Sequence, residues 1–440
     1  MILRDCISKY NFKQMKKLLF LLALTSFLSL NAQDTYLHCG KIIDTESGTV
    51  LSEKTIIISG NKIKSVVDGY AKAKRNDITI DLKDKTVLPG LIDLHVHIES
   101  ETNPRSFVGK YTDNEADVAF QSTVYAKRTL MAGFTTVRDL GGTGVNIALR
   151  KAIDAGKVDG PRIFTAGKII ASTGGHGDPT NGGKAALLGD PGPKEGVVNS
   201  PEDGRKAVRQ RYKEGSDVIK ITATGGVLSV AKNGSNSQFT IEEIKSIVDT
   251  ANDYGMLTAA HAHGDDGMQR AVVAGIKTIE HGTFMSEKTM DLMKQHDTYM
   301  VPTISAGKYV AEKAKIKGFY PDIIVPKALE VGPQLQGTFE KAYRRGVPIA
   351  FGTDAGVFPH GENGKEFGYM VEAGMPAIKA IQSATVTNAK LLSSENELGQ
   401  LKEGFFADIV AVDDDPTKNV RTLEKVVFVM KNGKVYKNEN

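Results

Sequence analysis

The chain has 440 residues, of which 40% are hydrophobic and 25% charged, with a formal net charge of +4. That length holds one large domain with an accessory unit, or two to three medium ones, and the composition is globular rather than disordered or fibrous. So small a charge, with no basic stripe interleaved with aromatics, excludes nucleic acid as a predicted partner.

From Met15 the chain reads MKKLLFLLALTSFLSLNAQD: two lysines, an apolar run of signal-peptide length, and Ala32 at a cleavage position. Leu30 at −3 is not the ideal small residue. The stretch predicts a secreted or periplasmic protein with a cleavable signal peptide from about Met15 to Ala32. Residues 1–14 are polar and read as an upstream extension before a start at Met15. The apolar run is too short to predict a membrane span. Cleavage removes Cys6 and leaves Cys39 as the other cysteine of the chain, predicted to be a buried small apolar residue outside any disulfide. Cys39 is not placed like a lipid-attachment cysteine, so no stable membrane anchor is expected.

Residues 33–88 hold short β-type runs, TYLHCGKII, TVLSEKTIIISG, KIKSVV and ITIDLKDKTVLPG, separated by turn residues such as Ser59-Gly60-Asn61. Residues 401–440 look alike, with ADIVAVD, VVFVM and the hairpin signal Lys431-Asn432-Gly433. The two ends are expected to pair into one discontinuous β-sandwich domain around a central insert at 89–400.

That insert alternates. Eight apolar, β-rich runs occur in order: LIDLHVH, GFTTVRDL, PRIFTAG, SDVIKITA, MLTAAHAH, IKTIEHG, YMVPTI and VPIAFGTD. Helical patterns lie between most of them, one opening with Thr240 and Glu243 spaced as a capping box. Eight strands alternating with helices predict an α/β fold of the (β/α)₈ TIM-like barrel type.

Chemistry in such a barrel sits at the C-terminal ends of the strands. There the runs place His95, His97, Lys220, His261, His263, His281 and Asp354. Each has a plain structural explanation alone; an Asp after Gly-Thr, for one, is often a helix cap. Five imidazoles, a lysine and a carboxylate converging from five strands do not. Alternation puts His95 and His97 on one face. An unpaired ammonium within a buried strand is costly and tends to lose its proton. Imidazole nitrogen and carboxylate oxygen form the ligand set of zinc or a similar divalent ion.

LPGLIDLHVH, the mid-strand Lys220, HAHG, IEHG and GTDAG, in this order, resemble the amidohydrolase superfamily. The likeness covers nearly all of the chain beyond the leader, including GFFADIVAVD. TTVRDLGG, STGGHGD, GSDVIKI, PHGENGKEF and SATVTNAKLL resemble its branch of Xaa-Pro and related dipeptidases, commonly labelled imidazolonepropionase-like. The resemblance implies two divalent metal ions, zinc being the expected metal. His95, His97 and Asp354 would hold the more buried ion and His261 and His281 the second, with an N-carboxylated Lys220 bridging both. A desolvated neutral amine can add CO₂, which gives that bridge a physical rationale. Alternation puts His261 and His263 on one face and does not choose between them; the family pattern favours His261 as the ligand and leaves His263 to the substrate pocket. His176 is a second pocket candidate. Arg138 would either hold a substrate carboxylate or pair with Asp139, the latter being the favoured reading. His360 is expected to order the loop after the eighth run.

The implied activity is metal-dependent hydrolysis of a C–N bond by a metal-bridging hydroxide. Asp354 would take the water proton and deliver it to the leaving nitrogen. The expected partner is a small molecule: an Xaa-Pro dipeptide or an N-acyl amino acid. A homo-oligomer is left open. Two alternatives stand beside this reading. One is a cyclic amide hydrolase of imidazolonepropionase type, against which Lys220 and a secreted location both count. The other is a non-catalytic metal- or solute-binding protein, which would need the base Asp354 to be missing. Deamination is weaker still, because HAHG lacks a glutamate a few residues on.

Overall fold

The computed structural model describes residues 33–439; the leader read over Met15–Ala32 lies outside them. Both chain ends build one seven-stranded mixed sheet. Its N-terminal strands are β1 (Thr35–Asp44), β2 (Thr49–Ser59), β3 (Lys62–Asp68) and β4 (Ile78–Pro89). The order β14-β13-β12-β4-β1-β2-β3 uses β12 (Ile409–Val412), β13 (Phe428–Lys431) and β14 (Lys434–Asn438). The ends join where β4 pairs antiparallel with β12, Pro89 opposite Ile409. The predicted hairpin is present: Lys431 pairs with Lys434 across Asn432 and Gly433, both at positive φ, the geometry of a tight two-residue turn. Leu37, Cys39, Ile56, Leu82, Ile409 and Phe428 pack as the core of this sheet. Cys39 is buried as expected, and burial pushes its thiol up to about 12.

The middle of the chain is α/β. One parallel sheet holds β5 (Leu91–Val96), β6 (Phe134–Asp139) and β7 (Arg162–Thr165). A second holds β8 (Val218–Thr222), β9 (Leu257–Ala262), β10 (Thr278–His281) and β11 (Tyr299–Val301). Single parallel bridges continue them: Ile170 with Ile221, Met300 with Ile349, and Val96 with Ala355. β5, β6 and β8 are buried along their whole length, as expected of parallel strands with helices over them. Helix Ile241–Asp253 begins with the predicted Thr240/Glu243 capping box.

The eighth run, 347–354, pairs without forming a regular strand. Its groups bond largely outside a ladder. Thr353 donates its N–H and hydroxyl to Asp93 at 3.1 and 2.6 Å, and the Asn388 amide donates to the Phe351 carbonyl at 2.9 Å. Leu94 N–H still reaches Phe351 O at 3.0 Å, and Asp354 N–H reaches His95 O at 2.7 Å. The run therefore lies directly beside β5. Among the described residues no helix is long and apolar enough to cross a membrane.

Candidate metal centre

His95, His97, Lys220, His261, His263, His281 and Asp354 line one cavity, as their places on the eight apolar runs predict, and His176 joins them from the loop after β7. The rest of its wall is mostly aliphatic: Ile169, Val227, Leu228, Val310, Val331, Leu335 and Val357. Lys220 and His261 are 3% and 5% exposed, low enough that water does little to solvate a charge on either.

Five of the six imidazoles are oriented by one ring nitrogen. His95 Nδ1 lies 2.8 Å from Glu280 Oε2, and His97 Nδ1 lies 2.8 Å from the Gly141 carbonyl. His263 Nδ1 meets the Thr283 hydroxyl at 2.7 Å, and His281 Nδ1 meets that of Thr303 at 2.8 Å. In these four rings Nε2 is left for the cavity. His261 is reversed: its Nε2 lies 3.0 Å from Gly225 O, which leaves Nδ1. Such outer partners set the tautomer and direction of a metal-binding ring.

Three non-glycine residues of the site have left-handed backbone: His281 (φ 72), Thr303 (φ 51) and Asp354 (φ 63). This conformation is unfavourable for side chains with a Cβ, most of all a β-branched threonine, and clusters at functional sites. At His281 it breaks strand alternation. Glu280 and His281 therefore both reach the interior: Glu280 by its bond to His95, His281 with its ring 5.1 Å from that of His95.

Burial lowers the pKa of all six cavity histidines, with the Lys220 charge adding to the effect. His97 falls to about 4, and His176 and His263 to about 3. The rings are neutral at physiological pH, the form that offers a lone pair to a metal. Burial also pushes the Lys220 amine down and the Asp354 carboxyl up. Asp354 Oδ1 sits 3.5 Å from His95 Nε2 and 3.4 Å from His97 Nε2. Asp354 Oδ1 and His95 Nε2 are buried with no hydrogen-bond partner, which costs free energy unless something else satisfies them. One ligand atom each from His95, His281 and Asp354 fall within 4.8 Å of one another. The donor set and these orphaned atoms fit a divalent ion.

One predicted contact is corrected. Arg138 does not face the cavity, and its partner is Glu280 rather than Asp139. It is wholly buried, and its donors go to Leu94 O (2.6 Å), Thr278 Oγ1 (3.1 Å) and Glu280 Oε1 (2.8 Å). Three of its five N–H donors are taken up there, and it is not part of the cavity wall. His176 stacks on His261 with ring centres 4.3 Å apart, its Nδ1 unpartnered. His360 orders a loop as expected, bonding Thr129 and the Ser100 carbonyl. Sequence reasoning missed Glu280, Thr303 and Asp93. Glu280 was visible as a carboxylate inside a buried strand, and alternation with His281 hid its role. Thr303 and Asp93 act on the ligands through hydroxyl and backbone bonds that carry no spacing signal.

A profile described as the Amidohydrolase family matches residues 86–436. The chain is similar to a crystal structure of a Xaa-Pro dipeptidase with methionine bound in its active site, at 53% identity and a TM-score of 0.90, over 92% of this chain and 100% of that one. A prolidase complexed with N-methylphosphonate-L-proline is 32% identical with a TM-score of 0.83, over 92% and 100% of the two chains. Ochratoxinase of Aspergillus niger is 29% identical over 439 residues, 92% of this chain and 87% of that protein. With the paired histidines, the buried lysine and the aspartate gathered around one cavity inside the matched region, the chain belongs to the amidohydrolase family, hydrolases that act on carbon–nitrogen bonds.

Proposed function

We propose that this amidohydrolase is a secreted dipeptidase or amidase that cleaves Xaa-Pro-type dipeptides or N-acyl amino acids. The observation that carries the reading is one cavity lined both by nitrogen and oxygen donors and by aliphatic side chains. The likeness to a Xaa-Pro dipeptidase and to a phosphonate-proline-bound prolidase supports a small substrate of this kind. We read the circuit of parallel pairs as a (β/α)₈ barrel over 89–400. The sheet from 33–88 and 401–440 is read as a small β-sandwich domain, preceded by a signal peptide that ends at Ala32.

In this reading His95, His97 and Asp354 hold one divalent ion, His261 and His281 a second, and zinc is the expected metal. Lys220 joins them after its neutral amine adds CO₂ and loses a proton to give a carbamate. When bound, the ions supply Lewis-acid polarisation of the scissile carbonyl and a more acidic water. Asp354 Oδ1 accepts the proton of the attacking water and returns it to the leaving nitrogen. His176 and His263 line the substrate side, and the aliphatic wall excludes bulk water.

The test is a hydrolysis screen of the chain from Gln33 onward, supplied with zinc and bicarbonate. Dipeptides, N-acyl amino acids and imidazolone propionate serve as substrates. Chelator-sensitive release of amino acids from dipeptides or acyl amino acids supports the reading. Cleavage of the cyclic amide alone would replace it with the imidazolonepropionase-type activity. No cleavage of any amide would favour a binding protein.

A further inference from the structure

Lys327 is a lysine with an unusual setting. It lies on helix Val325–Val331, is 5% exposed, and makes no ion pair among the described residues. Its Nζ instead donates to three backbone carbonyls: Gly226 (3.1 Å), Ser229 (2.5 Å) and Ala231 (2.8 Å). All three belong to the loop that leaves β8. An ammonium has three donors, and here all three go to one loop. Burial pushes this ammonium down to about 8.

The loop is pinned at its base and tip. At its base Gly225 N–H bonds Asn236 O at 2.9 Å, and Thr224 bridges Ser237. At its tip Val227 packs with Val310, Ala314, Tyr320, Ile324 and Val331, and Val227 and Leu228 line the cavity. The tip carbonyls that Lys327 takes up flank these two side chains in sequence. Gly226 lies against the His176 ring, where a Cβ would come within 2.3 Å of Cε1. The loop therefore cannot shift toward that ring to compensate for a lost anchor.

We propose that Lys327 is a specificity-determining positioning residue. By clasping 226–231 it holds Val227 and Leu228 as a fixed aliphatic wall, and so selects substrates whose side chain on that face is aliphatic and uncharged. This rests on the dipeptidase or amidase reading above. If the loop lifts, the wall opens and the ammonium is left to water, so clasp and wall form or fail together.

The test uses the metal-loaded enzyme, Lys327→Met, and a Gly-, Ala-, Leu-, Met- and Glu-Pro dipeptide series. Wild type should favour Leu and Met over Gly and Glu. In K327M the Leu-to-Gly ratio of kcat/KM should fall about tenfold, through KM, with kcat changed less than threefold and metal content unchanged. Lys327→Arg, which keeps a cationic donor, should restore part of the ratio. Hydrogen exchange at 225–236 should quicken in K327M. A double variant, Val227→Ala with Leu228→Ala, removes the wall without touching the lysine and should lose the same discrimination. Unchanged exchange in K327M overturns the clasp. Faster exchange with an unchanged ratio overturns the selectivity. If wild type cleaves none of these dipeptides, the dipeptide reading falls; the exchange result still decides the clasp, and an N-acyl series decides the selectivity.

Discussion

Replacing Glu280 by Gln tests the buried pair behind His95. Glu280 and Arg138 are both fully buried, 2.8 Å apart, and the other Glu280 oxygen meets His95 Nδ1 at 2.8 Å. At that distance the attraction is about 6 kcal/mol for an effective dielectric constant near 20. Breaking one side of a buried pair costs about 3–5 kcal/mol, because the remaining charge is uncompensated. Gln has one acceptor oxygen, so Arg138 or His95 must face an amide N–H. Chemical denaturation of the metal-free protein should show a loss of about 3–5 kcal/mol. Zinc titration with a competing chelator should show binding weakened about 10–100-fold, as for other lost outer partners of metal ligands. The double variant Arg138→Met, Glu280→Gln should recover much of the stability and little of the zinc affinity. A single variant within about 1 kcal/mol of wild type, with unchanged zinc affinity, would refute the argument that Glu280 orients His95.

Asp354→Asn should lower kcat by at least about 10²-fold with the fold intact by circular dichroism; full activity would remove Asp354 as the base. His261→Asn should halve the bound zinc measured by elemental analysis, whereas His263→Asn should keep both ions and raise KM; the opposite pattern would exchange their roles. The Lys327 clasp should weaken as pH rises through about 8, because the lysine pKa is lowered to that value by burial from 10.5 and the neutral amine keeps two of its three N–H donors. The Leu-to-Gly preference should then decline between pH 7 and 9 in wild type while staying flat in K327M, so the ratio of the two proteins separates it from titration of Lys220 and Asp354 in the same cavity. The Lys327 contribution to stability runs the opposite way and does not cause that decline. A lysine pKa below its unfolded value destabilises the fold below about pH 8, and this cost is relieved between about 8 and 10.5. Gly352→Ala should lower stability by about 1–3 kcal/mol in denaturant titrations, because its Cβ would lie 2.4 Å from Val301 Cγ1 and 3.0 Å from His95 N.

The amino-acid order by itself determined the α/β alternation, the β pairing of the two chain ends, and the residues that meet at the cavity. Apolar period, turn residues and the histidine pairs are local signals, and strand alternation carries them directly into space. His95 and His97 needed nothing beyond period two. The tertiary structure decided what holds those ligands. Arg138 was legible as a cation with a carboxylate partner, but only packing shows that the partner is Glu280 from another strand and that the guanidinium is not part of the cavity wall. Glu280 was hidden because the positive φ at His281 breaks the alternation that would have put the two on opposite faces. Asp93 and Lys327 act on backbone groups distant in sequence, the Thr353 N–H and the carbonyls of Gly226, Ser229 and Ala231. Every residue carries the same backbone N–H and C=O, so such contacts leave no trace in residue type or spacing and exist only once the chain has folded.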